Sequence, residues 1–177
     1  MYSNSNAQRG FSLMELMFTI TVLGILLGVA VPNFLEIVRN NRLVSQNNEF
    51  IGSLNLARSE ALKRSGSVSV CASADQATCS GSTNWTTGWI VFNDANGNGA
   101  LDAGDGLDPL LQAWAAAPPE FTLTSTNRSF VRYNPTGTSA AGAEIFDLVR
   151  TGCTGPHARR INISMVGRVA TTTVACP

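Results

Sequence analysis

Between Phe11 and Pro32 the chain reads FSLMELMFTITVLGILLGVAVP, 22 residues with a single charge at Glu15. A helix rises about 1.5 Å per residue, so about 20 apolar residues cross a hydrocarbon core of roughly 30 Å. The run is long enough to span a bilayer. A cleaved secretory signal has a shorter apolar region that ends in a small-residue site of the A-x-A kind. Here the apolar run is longer, and a helical pattern continues beyond it. The preceding flank, MYSNSNAQRG, is polar and places Arg9 just outside the run. Arg9 and the initiator amine favour a cytoplasmic N-terminus, whereas Arg39 and Arg42 on the far side pull the other way.

Glu15 is the costly residue of this segment. A carboxylate in a membrane helix costs about 2.5–3.5 kcal/mol on insertion scales, so it either reaches the interface or finds a positive partner. Cleavage between Gly10 and Phe11 would create such a partner, an α-amine four residues from Glu15. Gly10-Phe11-Ser12-Leu13-Met14-Glu15, followed by the apolar run to Pro32, resembles the class III leader of type IV pilins and pseudopilins. The resemblance implies that a prepilin peptidase cuts after Gly10 and methylates Phe11. It further implies that Glu15 pairs with a neighbouring subunit's N-terminus during assembly, with Pro32 as part of the assembly helix.

After Pro32, Leu43, Phe50, Leu54, Ala57 and Ala61 recur at spacings of seven, four, three and four, an amphipathic helical stripe. LARSEALKR has high helix propensity, Glu60 and Arg64 form a favourable i,i+4 pair, and Gly66 is placed to end the helix. One helix over residues 12–65 would be roughly 80 Å long. Pro32 and the Gly24/Gly28 pair allow a kink within it, and the pair also makes a GxxxG. From Ser67 onward Thr, Ser, Gly, Val and aromatics dominate. VSVCA, GWIVFN, FTLTS, FVRYN, EIFDLV, RINIS and GRVATTTV read as short strands between turn residues. The expected fold is α+β: a long N-terminal helix, transmembrane in its first half, packed on a β-rich C-terminal head. That head forms one antiparallel sheet or two small ones, with Trp85, Trp89, Phe92, Phe121, Phe130, Tyr133 and Phe146 in its core.

The chain has four cysteines, an even count that reads as disulfides in an exported head. Three pairings are possible. Cys71–Cys79 with Cys153–Cys176 is the expected one, because local bridges staple a loop and a tail. No CxxC or Cys/His spacing for a metal cluster occurs, and His157 is the only histidine, so a catalytic thiol lacks a choice of base. LARSEALKR, Gly88-Trp89-Ile90-Val91-Phe92 before an acidic loop, and Gly167-Arg168-Val169 are similar to the GspH/FimT group of minor pilins and pseudopilins. That resemblance implies four segments: a leader at 1–10, a transmembrane and assembly helix at 11–32, its amphipathic continuation at 33–66, and a periplasmic head at 67–177. It implies a structural role near the filament tip or its initiation complex, in the inner membrane before assembly, with other pilins or pseudopilins and prepilin peptidase as partners.

Composition narrows the rest. Charged residues make up 14%, below the roughly 25% of typical soluble chains, and 12 basic residues balance 12 acidic ones. The balance gives no overall pull toward nucleic acid, yet it hides a segregation. Residues 1–64 sum to +2, residues 65–127 to −6 and residues 128–177 to +4. In the acidic part, Asp94, Asn96, Asn98, Asp102 and Asp105 fall at positions 1, 3, 5, 9 and 12 of a calcium-loop pattern, with Gly99 at position 6. Asp in place of Glu at the last position shortens bidentate reach. The same residues also suit a plain hairpin loop, since NG and DG form turns. Calcium is the one cofactor the sequence suggests.

In the basic part, some FimT-like relatives bind DNA through a Gly-Arg-x-Arg motif. Here Gly167-Arg168-Val169-Ala170 keeps the first arginine and lacks the second. Arg159, Arg160 and Arg168 are the candidate phosphate contacts, and a solvated or subunit-facing role is the alternative. No phosphate loop and no paired catalytic carboxylates appear, so no enzyme is expected. A minor pilin of a type IV pilus leads, followed by a type II secretion pseudopilin and then a DNA receptor.

Overall fold

The computed structural model describes residues 10–102 and 108–177. Helix α1 runs Leu13–Arg64, and the strands are β1 Val68–Ala72, β2 Trp89–Asn93, β3 Leu110–Trp114, β4 Phe121–Ser125, β5 Phe130–Tyr133, β6 Glu144–Arg150, β7 Ala158–Ile163 and β8 Val169–Val174. The chain parts into two units between Asn41 and Arg42, inside the helix. In the first unit the apolar side chains of residues 11–31 and 34–37 face outward, Phe18 at 70% and Leu26 at 61% exposure. This helix is long and apolar enough to cross a membrane.

In the second unit the remaining helix is the central element of the head. Leu43, Phe50, Leu54, Ala57 and Ala61 are all buried, as the stripe predicts. Asn47 continues the stripe as a buried polar residue, and its Oδ1 accepts a 3.3 Å hydrogen bond from Thr171 on β8. The helix ends in a Schellman turn, with Gly66 N–H bonded to Ala61 O at 3.2 Å. The left-handed residue is Ser65, with φ 51°, so the stop falls one position before the expected glycine.

Two four-stranded antiparallel sheets receive this helix, ordered β3-β2-β1-β5 and β4-β6-β7-β8. Their inner faces and the helix share one core, in which Phe50 meets Trp85, Trp89 and Phe146 edge-on at 4.9–5.7 Å between ring centres. Such contacts exploit the ring quadrupole as well as burial. The second sheet alternates buried and exposed along β4, the pattern of a sheet with one solvated face. The first does not: β1 is buried at every position. Its outer face carries a second small core of Cys71, Ile90 and Phe92, packed by Cys79, Leu101, Ala113 and Phe130. Phe130 is half-buried there rather than in the main core.

Strand β3 has no counterpart among the expected strands. LLQAWAAAPP is Ala-rich, so local propensity argues against a strand there. Pairing with β2 and stacking of Trp114 on Trp89 at 6.0 Å override it. The disulfides are Cys71–Cys79 and Cys153–Cys176, with Cα separations of 5.6 and 5.7 Å. Cys71 sits inside β1. The second bridge fastens the tail after edge strand β8 to the β6–β7 turn, where Cys176 N–H also donates to Gly155 O at 2.9 Å.

Candidate functional site

The first candidate site is the start of α1. Gly10, Phe11 and Ser12 are not helical, and both Gly10 and Phe11 are exposed. The Gly10–Phe11 bond therefore lies in non-helical, exposed chain just before the helix. Ser12 is the N-cap: its Oγ accepts the Glu15 N–H at 3.2 Å. Ser12 and Glu15 thus hold the first and last places of an S-x-x-E capping pattern. A carboxylate in the first turn is also favoured by the helix dipole. Two local effects therefore offset part of the cost of Glu15, and both hold it at the helix mouth, beside the end that cleavage would create. Thr19 and Thr21 satisfy their hydroxyls on Leu16 O and Met17 O, at 2.8 and 2.7 Å, so they put no unpaired donor on the apolar surface.

The second candidate is the acidic β2–β3 loop. Asp94 is fully buried; its Oδ2 accepts Ser69 Oγ at 2.6 Å and Gly99 N–H at 3.0 Å. Asn96 and Asn98 each donate an amide N–H to the same oxygen, Asp102 Oδ2, at 2.8 Å. Asp108, absent from the sequence-derived set, closes the loop by accepting Ala95 N–H at 2.8 Å and Asp102 N–H at 3.4 Å. Asp105 lies outside the described residues. Among those described, no three His, Cys, Asp or Glu side chains cluster together. The loop also packs on the first sheet. A Cβ on Gly99 would strike the Phe130 ring at 2.6 Å, and one on Gly97 would lie 2.8 Å from the Arg132 guanidinium. Part of the acidic stretch thereby meets the basic stretch within the head.

The arginines divide. Arg160 is held bidentately by Asp147, at 2.8 and 3.1 Å, which keeps its guanidinium well charged. Arg159 donates to Thr173 across the β7–β8 pair. Because side chains alternate along a strand, Arg159 shares a face with Ile161 and Ile163, and Arg160 takes the opposite one. Arg168 is exposed at a shallow depression of about 480 Å³ that Asn162, Ser164 and Ala170 also line. The three therefore do not form one continuous patch on one face.

Two quoted motif residues meet instead at a structural clamp. Arg58, from LARSEALKR, donates to Gly137 O at 2.9 Å and to Val166 O at 3.0 Å. Gly167, from the Gly-Arg-Val segment, has φ +76°, and a Cβ there would fall 2.0 Å from Gly137 O. Only glycine fits. Arg58 thus joins the helix to the β5–β6 and β7–β8 turns. Gly88 is similarly confined: φ is +111°, and a Cβ would lie 2.6 Å from Trp114 O. The head motifs secure the fold rather than a reaction centre.

Residues 46–167 match the family described as type II transport protein GspH, and residues 5–31 match the prokaryotic N-terminal methylation motif. Among curated proteins none matches the chain in sequence. Two crystal structures of the Pseudomonas aeruginosa type IV minor pilin FimU are similar in fold. One, in space group P21, has a TM-score of 0.58 at 20% identity, covering 77% of this chain and 92% of that one. The other, in P65, has a TM-score of 0.54 at 22% identity, covering 72% and 90%. With the family matched over more than half its length, its pilin-like α+β fold and its N-terminal methylation motif, the chain belongs to the GspH family of pilin-like proteins, structural subunits that assemble with other pilins after prepilin peptidase processing.

Proposed function

We propose that the chain is a minor pilin of a type IV pilus, acting at the tip or in the initiation complex. Prepilin peptidase cuts the Gly10–Phe11 bond and methylates Phe11. The helix then waits in the inner membrane with its N-terminus cytoplasmic and its head periplasmic, and leaves the membrane as it joins the filament. The observation that carries this reading is the first unit of the helix: an outward-facing apolar surface with Glu15 held at its mouth, four residues beyond the accessible Gly10–Phe11 bond. Burial of that surface among neighbouring helices drives assembly. Pairing of Glu15 with a neighbour's methylated amine sets its register. The likeness to a type IV minor pilin supports the choice of system.

A second reading, a minor pseudopilin of a type II secretion machine, draws on the family's description as a type II transport protein. Deleting the gene and assaying twitching motility, exoprotein secretion and transformation side by side separates them. Loss of twitching with intact secretion is the expected result, and loss of secretion alone overturns the pilus reading. A DNA receptor would lose transformation alone. That role is the least supported, because Asp147 already holds Arg160 and Ala170 replaces the second arginine of the motif.

A further inference from the structure

We propose that the β2–β3 loop binds one calcium ion through Asp94, Asn96, Asn98 and Asp102. The observation that goes beyond loop shape is the Asp94 carboxylate. It is fully buried, and its Oδ1 has no hydrogen-bond partner among the described residues. A carboxylate withdrawn from water with one oxygen unsatisfied is costly unless a cation or metal meets it. Asp94 is joined to the loop through the Gly99 N–H on its other oxygen, which leaves Oδ1 as the one atom of that carboxylate open to a cation.

The remaining donors fit the same ion. Asn96, Asn98 and Asp102 already meet at one oxygen, Asp102 Oδ2, with both amide N–H groups turned toward it. A half-turn of each amide brings its carbonyl oxygen to that place, and the bonds to the ion replace those that Asn96 Oδ1 and Asn98 Oδ1 now accept from Asn98 N–H at 3.0 Å and Ala100 N–H at 2.7 Å. The donors are then all oxygens, at positions 1, 3, 5 and 9 of a calcium loop, and position 7, Ala100, would add a backbone carbonyl. An all-oxygen, flexible set selects a hard cation and suits calcium better than magnesium, which demands a small rigid octahedron. Asp108 is assigned the closing of the loop, through Ala95 N–H and Asp102 N–H, and not a place among the ligands. Asp105 plays no part in the proposal. The consequence is mechanical. Leu101, two residues beyond Gly99, packs with Phe130 on the outer core of the first sheet, so the ion would fasten that cover.

The test uses the full chain in detergent micelles, stripped with a chelator and dialysed, then titrated calorimetrically with calcium chloride. The expected result is one saturable site with Kd about 0.1–1 mM, the range of extracellular calcium modules. Calcium should raise the melting temperature, and equal magnesium should not. Asp102→Asn, which keeps shape and removes charge, should weaken binding at least about tenfold while leaving the melting temperature in chelator near wild type. Asn96→Asp, which adds a carboxylate at position 3, should tighten binding while lowering stability in chelator through repulsion of Asp102. A purely structural loop would show the second effect without the first. Absence of saturable heat up to about 10 mM, roughly ten times the weakest such sites, overturns the proposal. So does equal binding by magnesium, or unchanged affinity in both variants.

Discussion

The two ends of α1 use the same residue classes and meet opposite fates. Toward its start, Phe18 and Leu26 stand open; toward its end, Phe50 and Leu54 are at 0% exposure. The later half has a narrow stripe of apolar positions, and its own two sheets cover them. The early half is apolar on every face, more than one sheet could cover, and a helix of that kind belongs among other helices or in lipid. One continuous sequence pattern therefore specifies two surroundings: a head that completes itself and a segment completed by neighbours. Substitutions on either side of Asn41 should show it, because the same chemical change ought to be read out by different assays.

The sharpest contrast is Phe50→Ala against Phe18→Ala. Phe50 touches Trp85, Trp89 and Phe146, so its loss should cost the head about 3–5 kcal/mol. Denaturant unfolding followed by tryptophan fluorescence measures this. Phe18→Ala should leave that unfolding within about 0.5 kcal/mol and act only on incorporation into filaments. A head destabilised by Phe18→Ala would break the division.

A glycine pair makes the next test. Gly167→Ala places a methyl group 2.0 Å from Gly137 O at φ +76°, and should cost about 2–4 kcal/mol by the same unfolding assay. Gly24→Ala meets nothing within 4 Å, so the head should unfold unchanged. Any defect should appear in assembly, where Gly24 and Gly28 offer a close approach.

The smallest effect belongs to the disulfide loop. Asp75 accepts Thr78 Oγ1 at 2.6 Å, Ala77 N–H at 2.9 Å, Thr78 N–H at 2.8 Å and Ser73 Oγ at 3.0 Å. The Thr78 hydroxyl, then these backbone donors, hold the carboxyl well below its ordinary 3.8. A depressed folded value means that the stabilisation is complete above the ordinary value and is lost as pH falls toward the folded one. Asp75→Asn should therefore lower the melting temperature at neutral pH, and the gap from wild type should narrow as pH drops below about 4. A gap independent of pH would remove the charge from the account.

Much of the fold was legible because periodicity reports burial. Leu43 to Ala61 repeat as a helix face, and continuous runs such as VSVCA and WIVF reflect strands covered on both sides. What covers their outer side was not legible. The acidic loop looked like solvent-exposed turn chemistry, yet Leu101 and two close-packed glycines lay it over Phe130 and Arg132. Strand β3 escaped because an Ala-rich edge strand draws its stability from pairing, a non-local contact that propensity does not report. The Arg58–Gly137–Gly167 clamp escaped for the same reason: its members are 79 and 30 residues apart along the chain. The processing motif was readable in full, since its spacing is local, although the Ser12 cap that positions Glu15 becomes visible only once the helix start is known.

The charge segregation has also become a folded feature. Arg42 pairs with Glu120 at 3.2 Å, and the Arg132 guanidinium lies against Gly97 of the acidic loop. They bring basic residues from both flanking stretches to the acidic middle of the chain. Within the basic third, Glu144 and Asp147 take Arg128 and Arg160. The head is thus less dipolar in space than along the sequence.

The most direct measurement of the central claim is filament incorporation of Glu15→Val. That change removes the lone charge of the apolar segment while making it more apolar, so insertion into the inner membrane and the unfolding of the head should both match wild type. Incorporation, quantified by immunoblot of sheared filaments, should fall to background. Wild-type incorporation would contradict the claim that this end of the helix is completed by its neighbours through Glu15.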